Sequence, residues 1–77
     1  MVQAYILIQT DVGRAATVAE SISQIEGVAL AEDVTGPYDV VARAEADDLD
    51  GLAKGTVMPM QELDGITRTL TCPVIQL

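Results

Sequence analysis

The chain has 77 residues, four basic against twelve acidic for a net charge of −8, and is 49 % hydrophobic with no Phe, Trp or His. That length predicts a single domain over residues 1–77, near the size at which one hydrophobic core becomes marginal. The four scattered bases cannot neutralise a row of phosphates or hold an anionic membrane surface, and the lack of His removes the commonest general acid–base.

An apolar half made of small side chains exceeds what so small a monomer buries, so an oligomer is expected to cover the remainder. Cys72 is the only cysteine. It cannot form an intrachain disulfide, which fits a reducing compartment. No basic, apolar and small-residue succession opens the chain, and no apolar run is long enough to span a bilayer. A cytoplasmic protein is expected.

Strand one is predicted over residues 2–9, with Val2, Ala4, Ile6 and Ile8 on one face and Tyr5 and Leu7 on the other. Apolar residues on both faces predict cover on both. Thr10 or Asp11 is expected to cap a helix carrying Val12, Ala15, Ala16, Ala19, Ile22 and Ile25, with Gly27 as its left-handed stop. Strand two should place Val28, Leu30 and Val34 inward and Ala29, Ala31, Asp33 and Thr35 outward. Gly36-Pro37 then marks a reversal, because Pro fixes φ and Gly permits positive φ. The hairpin tip carries Tyr38 and Asp39, and strand three follows to Ala46. Asp47 or Asp48 should cap a second helix with Leu49, Leu52 and Ala53. Pro59 would clash with the carbonyl of Gly55, so a kink or break is expected between Thr56 and Met60, with Met58 and Met60 filling gaps beside it. Gly65 is a second left-handed stop. Strand four should carry Ile66, Leu70 and Cys72 on its core face and Thr67, Thr69 and Thr71 on its open face. Pro73 cannot donate to a ladder, so that strand belongs at a sheet edge.

The two halves repeat at their joints, Gln24-Ile25-Glu26-Gly27-Val28 paralleling Glu62-Leu63-Asp64-Gly65-Ile66. The order βαββαβ with a central hairpin predicts an α+β, ferredoxin-like fold. Right-handed crossovers put both helices on one face of a four-stranded antiparallel sheet of order 4-1-3-2. The other face is left open for a second sheet, giving a homodimer resembling a small α/β barrel.

No catalytic set is visible, and neither a cofactor nor a metal site is expected. The carboxylate pairs Glu32/Asp33 and Asp47/Asp48 read as solvated strand residues and helix-start acids. Cys72 reads as a core thiol. Asp39 reads either as a turn aspartate bonding local backbone or, with the threonine row, as part of a zwitterion site, the carboxylate taking an ammonium and hydroxyls or N–H groups a carboxylate.

Thr35-Gly36-Pro37-Tyr38-Asp39, an Asp-started helix, and Gly65-Ile66 leading to Thr69 and Thr71 resemble the RAM domain, the effector-binding half of the Lrp/AsnC transcription regulators. The resemblance covers essentially the whole chain. It implies dimerisation through the sheets, further assembly into dimers of dimers or an octamer, and amino-acid binding between dimers. It also implies that Gly36, Tyr38, Asp39, Thr69 and Thr71 lie at the ligand site. The chain has no room for the helix-turn-helix domain of such regulators, so no direct nucleic-acid contact is expected; full-length regulators of the family are candidate partners. The expected function is therefore a non-catalytic module that senses an amino acid or related metabolite. Its competitors are a small dimeric α/β-barrel enzyme and a purely structural oligomerisation module.

Overall fold

The computed structural model describes residues 1–75. Four antiparallel strands, β1 (Val2–Thr10), β2 (Val28–Asp33), β3 (Val40–Ala46) and β4 (Ile66–Pro73), form one sheet of order β2-β3-β1-β4. Helix α1 (Ala15–Ser23) connects β1 to β2, and a composite helix from Leu49 to Gln61 connects β3 to β4. This is the α+β, ferredoxin-like arrangement expected from the repeat, with β4 at an edge as Pro73 requires. The core lies between helices and sheet. Ala4, Ile6 and Ile8 of β1 and Val40, Ala42 and Ala44 of β3 are buried against Val18, Ala19 and Ile22 of α1 and Leu52 and Met60 of the second helix. Burying each large aliphatic here contributes about 1.5–3 kcal/mol.

The first helix starts later than expected. Its N-cap is Arg14, without a side-chain cap bond, rather than Thr10 or Asp11. A turn closed by the Arg14 N–H donating to the Asp11 carbonyl at 3.0 Å takes up the intervening residues. Val12 therefore lies outside the helix and is fully exposed. The reason is that the end of β1 is committed elsewhere, with the Asp11 N–H donating to the Gly65 carbonyl at 2.8 Å.

The kink or break expected near Thr56 to Met60 takes the form of a π-helical turn, and the chain stays helical through Pro59. α2 (Leu49–Leu52) is capped by Asp48, whose carboxylate accepts from the Gly51 N–H at 2.7 Å. It continues into a π-helical turn (Ala53–Val57) and then into α3 (Met58–Gln61). Backbone dihedrals stay helical at Leu52, Ala53, Val57 and Met58. The Met58 N–H reaches back five residues to the Ala53 carbonyl, so the widened turn absorbs the proline at the start of α3 without ending the rod. Met60 fills the core as expected, whereas Met58 is exposed.

Both outer strands carry a bulge that the simple alternation missed. β3 pairs Val28 with Ala44 but Leu30 with Arg43, and β1 pairs Thr10 with Ile66 but Gln9 with Arg68. Ala29 and Thr67 are the extra residues, at equivalent positions of the two repeats. One extra residue moves every later side chain to the opposite face. Ala31 therefore packs toward the core while Leu30 and Val34 are exposed. In β4, Thr69 and Thr71 stand beside Ile8 and Ile6 on the helix side. Leu70 and Cys72 stand beside Leu7 and Tyr5 on the open side, where both are exposed. The expectations of a core-facing Cys72 and an open-face threonine row are thus corrected.

The joint between the halves is tight. Gly27 has φ 91°, and a Cβ built there would lie 2.6 Å from the Thr56 hydroxyl and 3.0 Å from the Glu45 carbonyl. That hydroxyl donates to the Glu26 carbonyl at 2.9 Å, tying the π turn to the β2 entry. Gly27→Ala is expected to destabilise the fold by about 1–3 kcal/mol through backbone strain alone. A urea denaturation midpoint equal to wild type would contradict it.

Candidate functional site

The hairpin, the end of β1 and the start of β4 converge at one end of the sheet. The hairpin is held there by backbone bonds at position 39 and by the Asp39 side chain. The Val34 N–H donates to the Asp39 carbonyl at 2.9 Å, and the Asp39 N–H donates to the Ile8 carbonyl at 2.8 Å. The Asp39 carboxylate accepts from the Thr10 N–H at 2.8 Å, a half-buried bond across 29 residues of sequence. Asp39 is therefore a long-range brace between hairpin and β1, which the reading of a local turn aspartate did not anticipate. Its second carboxylate oxygen carries no bond within the chain among the described residues. The Gln9 side chain adds a further tie, donating to the Pro37 carbonyl at 3.0 Å.

Gly36, with φ 154°, stands at the exposed tip and would meet nothing if a Cβ were added. Its conformation, rather than its space, calls for glycine. Tyr38 is half-buried beside Asp39. These three candidate residues share the hairpin. Thr69 and Thr71 do not join them within one chain. They belong to β4, on the far side of β1, and the bulge turns them to the helix face. Two inter-strand spacings, about 10 Å, separate β3 from β4.

Thr69 instead contributes to a groove of about 300 Å³ between the end of α3 and β4, lined by Gln61, Ile66, Thr67, Arg68 and Thr69. The Gln61 amide donates to the Thr69 hydroxyl at 2.9 Å. Alternation along β4 gave no weight to Arg68 or Gln61. Arg68 stands opposite Gln9, directly after the bulge. The signal that could have found this groove is the repeat itself. Val28 and Ala31 are half-buried at a spacing of three, and Ile66 and Thr69 reproduce that spacing.

A second, wider depression of about 590 Å³ lies at the opposite end of the sheet and carries Glu26, Glu45, Asp47, Asp48 and Asp50. Two of these acids are already engaged, Asp48 as the helix cap and Asp50 with Lys54 at 3.3 Å. Among the described residues no three His, Cys, Asp or Glu side chains are arranged to hold a metal ion. None of their helices is long and apolar enough to cross a membrane.

Replacing Asp39 by Ala leaves the Thr10 N–H unpartnered and removes the carboxylate tie between hairpin and β1, while the Asp39 N–H to Ile8 bond remains. A loss of about 1–3 kcal/mol is expected. Hydrogen exchange should show it as faster exchange at Thr10 and Val34 than in β1's centre, and unchanged exchange at those amides would refute the bracing role.

Comparison with known proteins places this geometry. The family model described as the Lrp/AsnC ligand binding domain matches residues 3–77. Among solved structures, TTHA0845 from Thermus thermophilus is 31 % identical with a TM-score of 0.91, covering 100 % of this chain and 96 % of that one. AsnC of E. coli superposes with a TM-score of 0.87 at 22 % identity, covering 99 % of this chain and 52 % of that one. A Neisseria meningitidis transcriptional regulator, NMB0573, solved in complex with L-Met, gives 0.72 at 19 % identity, covering 97 % of this chain and 50 % of that one. At such identities the last two show the fold alone, and this chain spans about half their length. No match is found among curated proteins. The sequence match runs from the first strand through the last and agrees with the strand order, and the chain belongs to the Lrp/AsnC ligand-binding domain family.

Proposed function

We propose that this chain is a non-catalytic sensing module, binding an amino acid or related small metabolite where the hairpin end of one chain meets another chain. The whole-chain match to a ligand-binding domain of transcription regulators carries this reading. The L-Met complex of the Neisseria regulator, which shares the fold, supports the ligand class. The separation of Gly36, Tyr38 and Asp39 from Thr69 and Thr71 within one chain supports a site completed between chains. In that arrangement the free oxygen of Asp39 takes the ammonium, and the β4 groove of a neighbouring chain supplies hydroxyls.

The open sheet face supports self-association. Tyr5, Leu30 and Leu70 are 47 %, 42 % and 41 % exposed there, around half-buried Leu7 and Val41. Pairing two such faces gives the homodimer, and dimers joined through their hairpin ends give a larger ring. The output is a change in assembly or association with full-length regulators of the family. The net charge of −8 leaves DNA contact to such a partner. A ligand shifts assembly only by its difference in affinity between the two states.

Light scattering after size exclusion, with each of the twenty amino acids at millimolar concentration, tests the reading. One or a few amino acids should change mass or melting temperature. A fixed oligomer indifferent to all of them would favour the structural-module alternative. Cys72 reports the sheet-to-sheet dimer independently. Its alkylation should be slow at high protein concentration and accelerate on dilution, and a rate independent of concentration would exclude that face as the interface.

A further inference from the structure

We propose that Glu32 and Arg68, at opposite edges of the open sheet face, fix how two copies of this chain stack. The two-fold axis runs along the strands, and Glu32 of each chain pairs with Arg68 of the other. This rests on the reading of the open face as a dimer interface and needs no ligand.

The pairing register places the charges on that face, because residues paired across an antiparallel sheet point to the same side. Glu32 pairs with Val41, Val41 with Leu7 and Leu7 with Leu70, a rung running from the β2 edge to the β4 edge. Leu30, Arg43, Tyr5 and Cys72 make the rung on one side of it. Arg68 pairs with Gln9 in the rung on the other side. An acid therefore stands at the β2 edge and a base at the β4 edge, with aliphatic side chains between them. Both are exposed, and neither has a hydrogen-bond or ion-pair partner among the described residues. Arg43 is engaged on its own chain, donating to the Gln3 side-chain oxygen at 2.9 Å. Arg43 and Arg68 are set against Glu32 and Glu45, while the Asp39 carboxylate is held by Thr10. This side of the sheet is thus close to neutral in a chain of net charge −8, which favours a copy of itself as its partner.

Aligned sheets stack on a copy in two ways. With the two-fold axis across the strands, each edge lies over the same edge of the partner. Arg68 then shares an edge with the partner's Arg68 and Glu32 with the partner's Glu32, and neither charge is neutralised. With the axis along the strands, the β2 edge lies over the partner's β4 edge, and each Glu32 comes beside the partner's Arg68. The two stand one rung apart, about 7 Å along the strand and about 10 Å between sheets, which extended Glu and Arg side chains span together. The same axis sets Leu30 over the partner's Cys72, since the two share a rung.

The test combines charge reversal with cross-linking on the full chain. Sedimentation equilibrium at low salt measures the dimer constant of wild type, Arg68→Glu, Glu32→Arg and the double variant. Each single variant should dissociate about tenfold or more readily, since two attractive pairs become repulsive. The double variant should return to within about threefold of wild type. A short bismaleimide should join Leu30→Cys chains into dimers through Cys72. It should leave wild type, and Leu30→Cys combined with Cys72→Ser, unlinked, because like edges lie far apart. Single reversals that dimerise like wild type, a double variant no better than the singles, unlinked Leu30→Cys, or wild type joined through Cys72 alone would each overturn the paired edges and leave the open-face dimer standing. Wild type that stays monomeric at every concentration would overturn both.

Discussion

One extra residue in each outer strand decides which side chains of this sheet meet the helices. Ala29 and Thr67 each interrupt a ladder one residue after the strand opens. Before the bulge Val28 and Ile66 pack toward the core, and after it Ala31, Thr69 and Thr71 do. The bulges hand Leu30, Leu70 and Cys72 to the open face. They also place Thr69 where the Gln61 amide can reach it. Without them the open face would be polar on β4 and the helix side would hold Cys72.

The same device separates two jobs. The open face becomes an aliphatic surface with Tyr5 at its centre, suited to a second sheet. The bulge end becomes a polar groove in which the Gln61 amide holds the Thr69 hydroxyl. Two surfaces of opposite character thus share β4 on one 77-residue chain.

Pro59 and Gly55 show how local strain is absorbed. A proline inside an α-helix costs a hydrogen bond and meets the carbonyl four residues back. Here the preceding turn widens to a π turn, and Thr56 within it pins the Glu26 carbonyl. The irregular turn thereby helps to hold the α1–β2 joint, so the proline is accommodated by a segment with a structural role of its own.

Fold class, strand order, the positive φ of Gly27 and Gly65, and an aspartate cap at Asp47 or Asp48 were all legible in the sequence; three residues lie between each helix end and its glycine, and the cap is Asp48. Each of these rests on short-range chemistry or on a repeat visible in the letters. It also marked the hairpin residues, since Gly36, Pro37 and Asp39 are turn chemistry. Only the tertiary structure decided which face Thr69, Thr71, Leu70 and Cys72 occupy. A bulge is defined by the neighbouring strand: two residues oppose one, and nothing in Gly65-Ile66-Thr67-Arg68 alone says where β1 will skip. For the same reason the sequence left Asp39 between a turn aspartate and a ligand group, and its bond to Thr10, a neighbour in space but remote in sequence, is seen only in the fold.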